Sequence, residues 1–156
     1  KYIISFVNMC LTFDFTYIIL KKLILEVSLM IKEIGKITIY VNNVEEAKKF
    51  WLEKMNFIIK FEAEMGPGFK WLEVGPTKEA FTTFVIYNKE MMAKQNPQAN
   101  VGHPNIILST TNIEATYSKM KENGVDVDEI KTMPYGSMFS FKDQDGNAYL
   151  IREDLV

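Results

Sequence analysis

Residues 37–57 read ITIYVNNVEEAKKFWLEKMNF. In this stretch the hydrophobic period changes from two to about 3.6 within a few residues. Ile37, Ile39 and Val41 alternate with other side chains, which is typical of a strand with one buried face. Asn43 is followed three residues later by Glu46, and this spacing predicts a capped helix start. The stretch therefore predicts a strand that leads directly into a helix.

The same order of residues returns in the second half of the chain. Asn112 and Glu114 follow a strand-like run at residues 104–110, and Gly124 is placed to end the helix. Three strand-like segments follow each helix, so the chain reads β-α-β-β-β twice. We predict an α+β fold of two modules, residues 30–92 and 103–156, joined by a linker at 93–102 into one structural domain.

Composition narrows the possible functions. The chain has 156 residues, a net charge of −2, one cysteine and one histidine. The absence of a basic surplus argues against a nucleic-acid partner. One cysteine cannot form an intrachain disulfide, and one histidine excludes a His-rich metal centre. We expect a reducing, cytoplasmic setting.

Residues 1–29 differ from the rest, because 19 of them are apolar or aromatic and none is glycine or proline. A membrane anchor would have to accommodate Asp14, at a cost of about 2.5–3.5 kcal/mol, so a membrane role is disfavoured. The codons of Leu25-Glu26-Val27 can contain a ribosome-binding sequence, at a short distance upstream of a start codon for Met30. We favour an upstream extension outside the natural protein, with a docking segment and a membrane anchor as alternatives.

Three stretches together carry a family resemblance: residues 37–57, residues 107–125 (ILSTTNIEATYSKMKENGV) and residues 139–153 (FSFKDQDGNAYLIRE). In this order and at these spacings they resemble the vicinal oxygen chelate superfamily of glyoxalases, bleomycin-resistance proteins and extradiol dioxygenases. The resemblance implies two βαβββ modules that form an open, curled mixed β-sheet around a cleft, with the helices outside. It also implies a homodimer.

Enzymes of that superfamily hold a divalent metal with His and Glu side chains on inward strand positions. Carried over one at a time, these positions fall at Lys36, Asn105 and Leu150, with the remaining one near Phe84. None of these residue types matches the family's ligand. The resemblance therefore predicts that this chain lacks the metal site, and we expect no cofactor.

Strand alternation, the resemblance and the excess of aromatic residues predict which side chains face the cleft. The set mixes cations, an amide, a hydroxyl, apolar groups and aromatic rings, which is typical of a ligand site. His103 and Lys36 are also candidates for acid–base catalysis, because a histidine titrates near neutral pH. The candidate ligand-binding residues are Lys36, Thr38, Tyr40, Trp71, His103, Asn105, Met138, Phe139, Leu150 and Arg152.

Three functions remain open at this stage. The first is metal-free binding of a small aromatic or anionic molecule in the cleft. The second is a glyoxalase-type lyase or a dioxygenase-like enzyme that uses non-standard metal ligands or His103 and Lys36. The third is an interaction module without a ligand. The sequence does not decide whether the chain is an enzyme.

Overall fold

The computed structural model describes residues 31–154, so the hypotheses about residues 1–29 lie outside the described residues. The chain divides into two compact units, Lys1–Glu33 and Ile34–Val156. All of the helices and strands below belong to the second unit.

The first module contains one helix and a four-stranded sheet. Strands β1 and β4 are parallel, whereas the other neighbours in the order β1-β4-β3-β2 are antiparallel. A π-helical turn, Phe50–Lys54, continues helix α1, with the Met55 N–H donating to the Phe50 carbonyl at 3.2 Å. The elements are β1 (Lys36–Val41), α1 (Val44–Lys49), β2 (Ile58–Gly66), β3 (Phe69–Gly75) and β4 (Thr83–Asn88).

The second module repeats this arrangement after a short linker helix. Its sheet has the order β5-β9-β8-β6, with β7 also paired to β8, and β5 runs parallel to β9. The linker helix is α2 (Lys89–Gln95). The elements of the second module are β5 (Ile107–Ser109), α3 (Ile113–Glu122), β6 (Asp126–Val127), β7 (Lys131–Met133), β8 (Gly136–Lys142) and β9 (Ala148–Asp154).

The predicted α+β fold of two βαβββ modules is confirmed. Within residues 31–154 the strands form two open sheets, because β1 and β5 are edge strands that share no ladder with each other. Four strands rather than the expected three follow α3, because β6 and β7 are separate short strands. The linker expected at 93–102 begins inside α2, which starts at Lys89.

The helix boundaries follow the local signals. The Asn43 side chain accepts hydrogen bonds from the N–H groups of Glu45 and Glu46, at 3.0 and 3.2 Å. The Asn112 side chain accepts one from the Ala115 N–H at 2.9 Å. Gly124, at φ 71°, adopts the left-handed conformation expected just after α3.

One hydrophobic core joins the two modules. The Trp51 side chain is fully buried, and its ring centre lies 5.0 Å from that of Phe84 in the first sheet and 5.3 Å from that of Tyr149 in the second. Hydrogen bonds also cross between the modules, including the Asn42 N–H to Asp145 at 2.8 Å. The helix-facing sides of both sheets therefore bury a common core, and their other faces are left for ligands or partners.

Candidate functional site

The face of the first sheet that points away from the core carries most of the polar and aromatic candidates. Because side chains alternate along a strand, β1, β3 and β4 each place every second residue on this face. We call it the first face: Lys36, Thr38, Tyr40, Phe69, Trp71, Glu73, Thr83, Val85 and Tyr87. The corresponding second face carries Ile107, Met138, Leu150 and Arg152.

Four rings on the first face form a continuous chain. The ring centres of Tyr40 and Tyr87 are 6.3 Å apart, those of Tyr87 and Phe69 are 5.1 Å apart, and those of Phe69 and Trp71 are 6.4 Å apart. Tyr87 is buried, whereas the other three rings are partly exposed. These separations fall in the range of favourable aromatic pairs. The chain of rings forms a continuous apolar strip on the first face.

A carboxylate lies beside this aromatic chain. Glu73 is only 7% exposed and accepts hydrogen bonds from Lys36 Nζ at 2.6 Å, Trp71 Nε1 at 2.7 Å and Thr83 Oγ1 at 3.3 Å. Burial raises the pKa of Glu73, but the hydrogen bonds from Lys36 and Trp71 outweigh it and hold the pKa below its ordinary value. Glu73 is therefore ionised at neutral pH.

The linker helix α2 borders the Tyr87 end of the first face. The Asn88 side chain caps this helix by accepting a hydrogen bond from the Met91 N–H at 2.8 Å. The Tyr87 hydroxyl donates to Gln95 Oε1 at 2.6 Å. Met91 and Met92 are half-buried. The linker is thus tied to the first face by a hydrogen bond from one of the four rings.

Three sequence candidates lie together on the second face. Met138 is the register partner of Arg152, and Leu150 is flanked by Ile107 and Ser140 on its two neighbouring strands. The Arg152 guanidinium lies 5.4 Å from the centre of the Tyr135 ring, within cation–π range. The structure therefore divides the candidates between two sheets, with Lys36, Thr38, Tyr40 and Trp71 on the other one.

Two placements from the sequence are corrected. Phe139 was expected to line the cleft, but its ring is buried in the core and packs edge-on against Tyr117 at 5.2 Å. Phe84, the approximate position for one metal ligand, is also buried in the core between Trp51 and Phe57. Neighbouring residues of a strand point to opposite faces, so Met138 rather than Phe139, and Thr83 and Val85 rather than Phe84, face away from the core.

His103 and Lys36 have separate partners. The His103 ring packs against Tyr149 with the ring centres 4.6 Å apart, and its Nε2 lies 2.9 Å from the Ala148 carbonyl, to which it donates. Tyr149 belongs to the core, whereas Lys36 pairs with Glu73 on the first face. Asn105 is exposed just before β5. These contacts give no support to a combined acid–base role for His103 and Lys36.

The residues at the mapped metal positions do not fit a metal. A charged lysine has no lone pair to offer, and leucine and phenylalanine have no donor atom, so of the four mapped positions only Asn105 offers a ligand oxygen. In the part of the chain from residue 31 to residue 154, no group of three or more His, Cys, Asp or Glu side chains could hold an ion. Lys36 instead holds its ammonium against Glu73.

No helix within residues 31–154 has both the length and the hydropathy needed to cross a membrane.

A cavity of about 510 Å³ lies on the other side of the sheets, between the two modules. Its walls come from residues 54–57, β5 and α3. Its two lysines are already engaged, Lys54 with the Gly124 carbonyl at 2.8 Å and Lys119 with Glu122 at 3.2 Å. Its volume is in the range of small-molecule sites, and its polar lining includes Asn56, Asn123, and the hydroxyls of Thr110 and Thr116, which are hydrogen-bonded to each other at 2.7 Å.

Sequence reasoning missed Glu73, Thr83 and Tyr87 as parts of the site. Glu73 stands two residues after Trp71 on the same strand, so alternation alone places both side chains on one face. Thr83 and Tyr87 carry no comparable signal, because their position depends on β4 pairing between β1 and β3.

Comparison with known proteins is consistent with this geometry. The model of the Glyoxalase/Bleomycin resistance protein/Dioxygenase superfamily matches residues 33–150. The chain belongs to this superfamily. A relative in Bacillus subtilis, the uncharacterized protein YetH, is 44% identical over 125 residues, which are 80% of this chain and 100% of YetH.

Solved structures of superfamily members resemble this chain over most of its length. TnmS3, an antibiotic binding protein from Streptomyces sp. CB03234, is 26% identical with a TM-score of 0.67, and the match covers 81% of this chain and 99% of TnmS3. A superfamily member from Sphaerobacter thermophilus is 25% identical with a TM-score of 0.68, over 81% of this chain and 100% of that one.

Proposed function

We propose that this protein binds a small planar aromatic molecule on the first face, without a metal. The observation that carries the proposal is the chain of rings from Tyr40 to Trp71, placed directly beside the Glu73 cluster. Aromatic stacking contributes about 0.5–1.5 kcal/mol per pair beyond the area that is buried. The likeness to TnmS3, an antibiotic binding protein, supports the same class of function.

In this proposal the side chains of the first face have distinct roles. Trp71 provides the stacking surface, and Phe69, whose ring stands at 79° to that of Trp71, contacts the ligand edge-on. Tyr40 and Thr38 border this surface, and Lys36 offers hydrogen-bond donors. The other sequence candidates lie outside the first face and have no role in this proposal. They are His103, Asn105, Met138, Leu150 and Arg152.

We also propose that two chains form a homodimer, as the family resemblance implies, in the cytoplasm. Phe61 on the edge strand β2 is 50% exposed and Ile107 on β5 is 58% exposed, so both sheets present apolar surface that a second chain could cover. Light scattering coupled to size exclusion measures the mass. A mass equal to one chain at micromolar concentration would refute the dimer.

The binding proposal is tested with 2-acetylnaphthalene, a neutral aromatic ketone, in titrations followed by calorimetry. Trp71→Ala is expected to weaken binding about tenfold, which corresponds to about 1.4 kcal/mol. Tyr135→Ala is the matched control, because it truncates an exposed ring beside the other sheet. Equal affinity of the wild type and Trp71→Ala would refute the first face as the site.

A further inference from the structure

Both oxygens of the Glu73 carboxylate are engaged by groups of the first face. Oε1 accepts from the Trp71 indole at 2.7 Å, and Oε2 accepts from Lys36 at 2.6 Å and from Thr83 at 3.3 Å. Hydrogen bonds to charged groups are the strong ones, and they fix the geometry of both partners. The plane of the Trp71 ring is thus held by a buried carboxylate rather than by packing alone.

The same carboxylate sets the charge of the face. The Lys36 side chain is 51% exposed, so ligands can reach it, but its positive charge is balanced by Glu73 at contact distance. An incoming anion would gain attraction from Lys36 and meet repulsion from Glu73 at nearly the same range. A neutral oxygen of a ligand can still accept a hydrogen bond from one of the two ammonium N–H groups that do not bond to Glu73 Oε2.

We propose that Glu73 is a positioning residue that fixes the Trp71 ring, and that its ion pair with Lys36 makes the first face select neutral, oxygen-bearing aromatic ligands over anionic ones. This inference rests on the proposed binding function and narrows its ligand class. It replaces the broader expectation of an aromatic or anionic ligand, because the lysine that would attract an anion is already neutralised within the site.

The test uses two probes that share one ring system: neutral 2-acetylnaphthalene and anionic 2-naphthoate. The wild type is expected to bind the neutral probe more tightly. In Glu73→Gln the side-chain carbonyl can still accept from Trp71, but Lys36 loses its counter-ion. The affinity for 2-naphthoate relative to 2-acetylnaphthalene should then rise about fivefold, the factor that corresponds to about 1 kcal/mol of ion-pair energy.

Two further variants keep the test independent of the folding of Glu73→Gln. Lys36→Gln leaves the Glu73 charge uncompensated, so 2-naphthoate should bind even more weakly relative to the neutral probe than in the wild type. Thr82→Val removes a hydrogen bond outside the first face, from the Thr82 hydroxyl to the Ile34 carbonyl at 2.6 Å, without changing any charge, and the ratio of the two affinities should stay at its wild-type value. Melting temperatures confirm that each variant is folded.

A spectroscopic readout tests the positioning role by itself. Trp51 is fully buried and Trp71 is partly exposed, so acrylamide quenching of tryptophan fluorescence reports mainly on Trp71. Glu73→Leu, which has no acceptor for the indole, should increase this quenching, whereas Glu73→Gln should not. Equal quenching in the two variants would show that Glu73 does not hold the ring.

The outcomes separate the two proposals. If neither probe binds the wild type, both the binding function and this inference fail. If the probes bind but the wild type prefers 2-naphthoate, or if the ratio of affinities is the same in the wild type, Glu73→Gln and Lys36→Gln, the charge selection is refuted and the binding function stands.

Discussion

Replacing Trp51 by alanine is expected to destabilise both modules together by about 4 kcal/mol. The indole contacts rings from both sheets, including Phe84 and Tyr149, and is completely buried. A buried tryptophan removes about 200 Å² from water, which at about 25 cal/mol/Å² gives about 5 kcal/mol. In the described part of the chain the Trp51 N–H has no hydrogen-bond partner, and removing this orphaned donor returns about 1 kcal/mol.

This loss is large compared with the 5–15 kcal/mol that stabilises a typical domain. It corresponds to a fall in the melting temperature on the order of 10 °C. Urea unfolding followed by far-UV circular dichroism measures the change in the free energy of unfolding. Because the core is shared, the variant should still unfold in one transition.

Trp71→Ala is the matched control, since the same side chain is truncated at a partly exposed position of the first face. Its cost should be about 1–2 kcal/mol, the share expected from partial burial and one hydrogen bond. Equal losses at the two positions would refute the assignment of Trp51 to a common core. Two separate unfolding transitions in the wild type would refute the sharing of that core.

Three further predictions concern the hydrogen-bond network and its ionisation. Asp143→Ala should cost about 3 kcal/mol in urea unfolding, because Asp143 accepts bonds from two backbone N–H groups, the Asn147 amide and the buried Tyr149 hydroxyl; a loss under 1 kcal/mol would contradict this. Because the folded-state pKa of Glu73 is lowered, its ionised form stabilises the folded protein fully at any pH above 4.5, the ordinary pKa of a glutamate. This contribution is lost as the pH falls through the lower folded-state pKa. Wild-type stability should therefore fall more steeply than that of Glu73→Gln in acid, and parallel pH profiles would rule the effect out. Asn43→Ala should cost about 1 kcal/mol by removing the cap of α1, with Asn42→Ala as the control for a change outside the cap.

Much of the fold was predictable because its signals are local. The alternation around Ile39, the cap residues Asn43 and Asn112, and the glycine after α3 are all read within one turn or one strand. Their repetition gave two βαβββ modules without any knowledge of contacts. The same local rules were less successful where the chain is irregular, as at the π-helical turn after Lys49 and in the short strands β6 and β7.

The candidate site was predictable only in part. Strand alternation placed Lys36, Thr38 and Tyr40 on one face. The excess of aromatic residues suggested Trp71, which lies on the same face, and Phe139, which is buried in the core because it is Met138, its neighbour on β8, that faces outward. The assumption of one cleft also brought together residues that the structure distributes over two sheets.

The sequence by itself determined the repeated module and the ends of its helices. Tertiary structure alone decided that Lys36 lies against Glu73, 37 residues further along the chain. That contact depends on β4 lying between β1 and β3, a long-range pairing that no local pattern records. For this reason only some residues of the first face, such as Lys36 and Trp71, could be predicted from the sequence, whereas its charge balance and its fixed tryptophan could not.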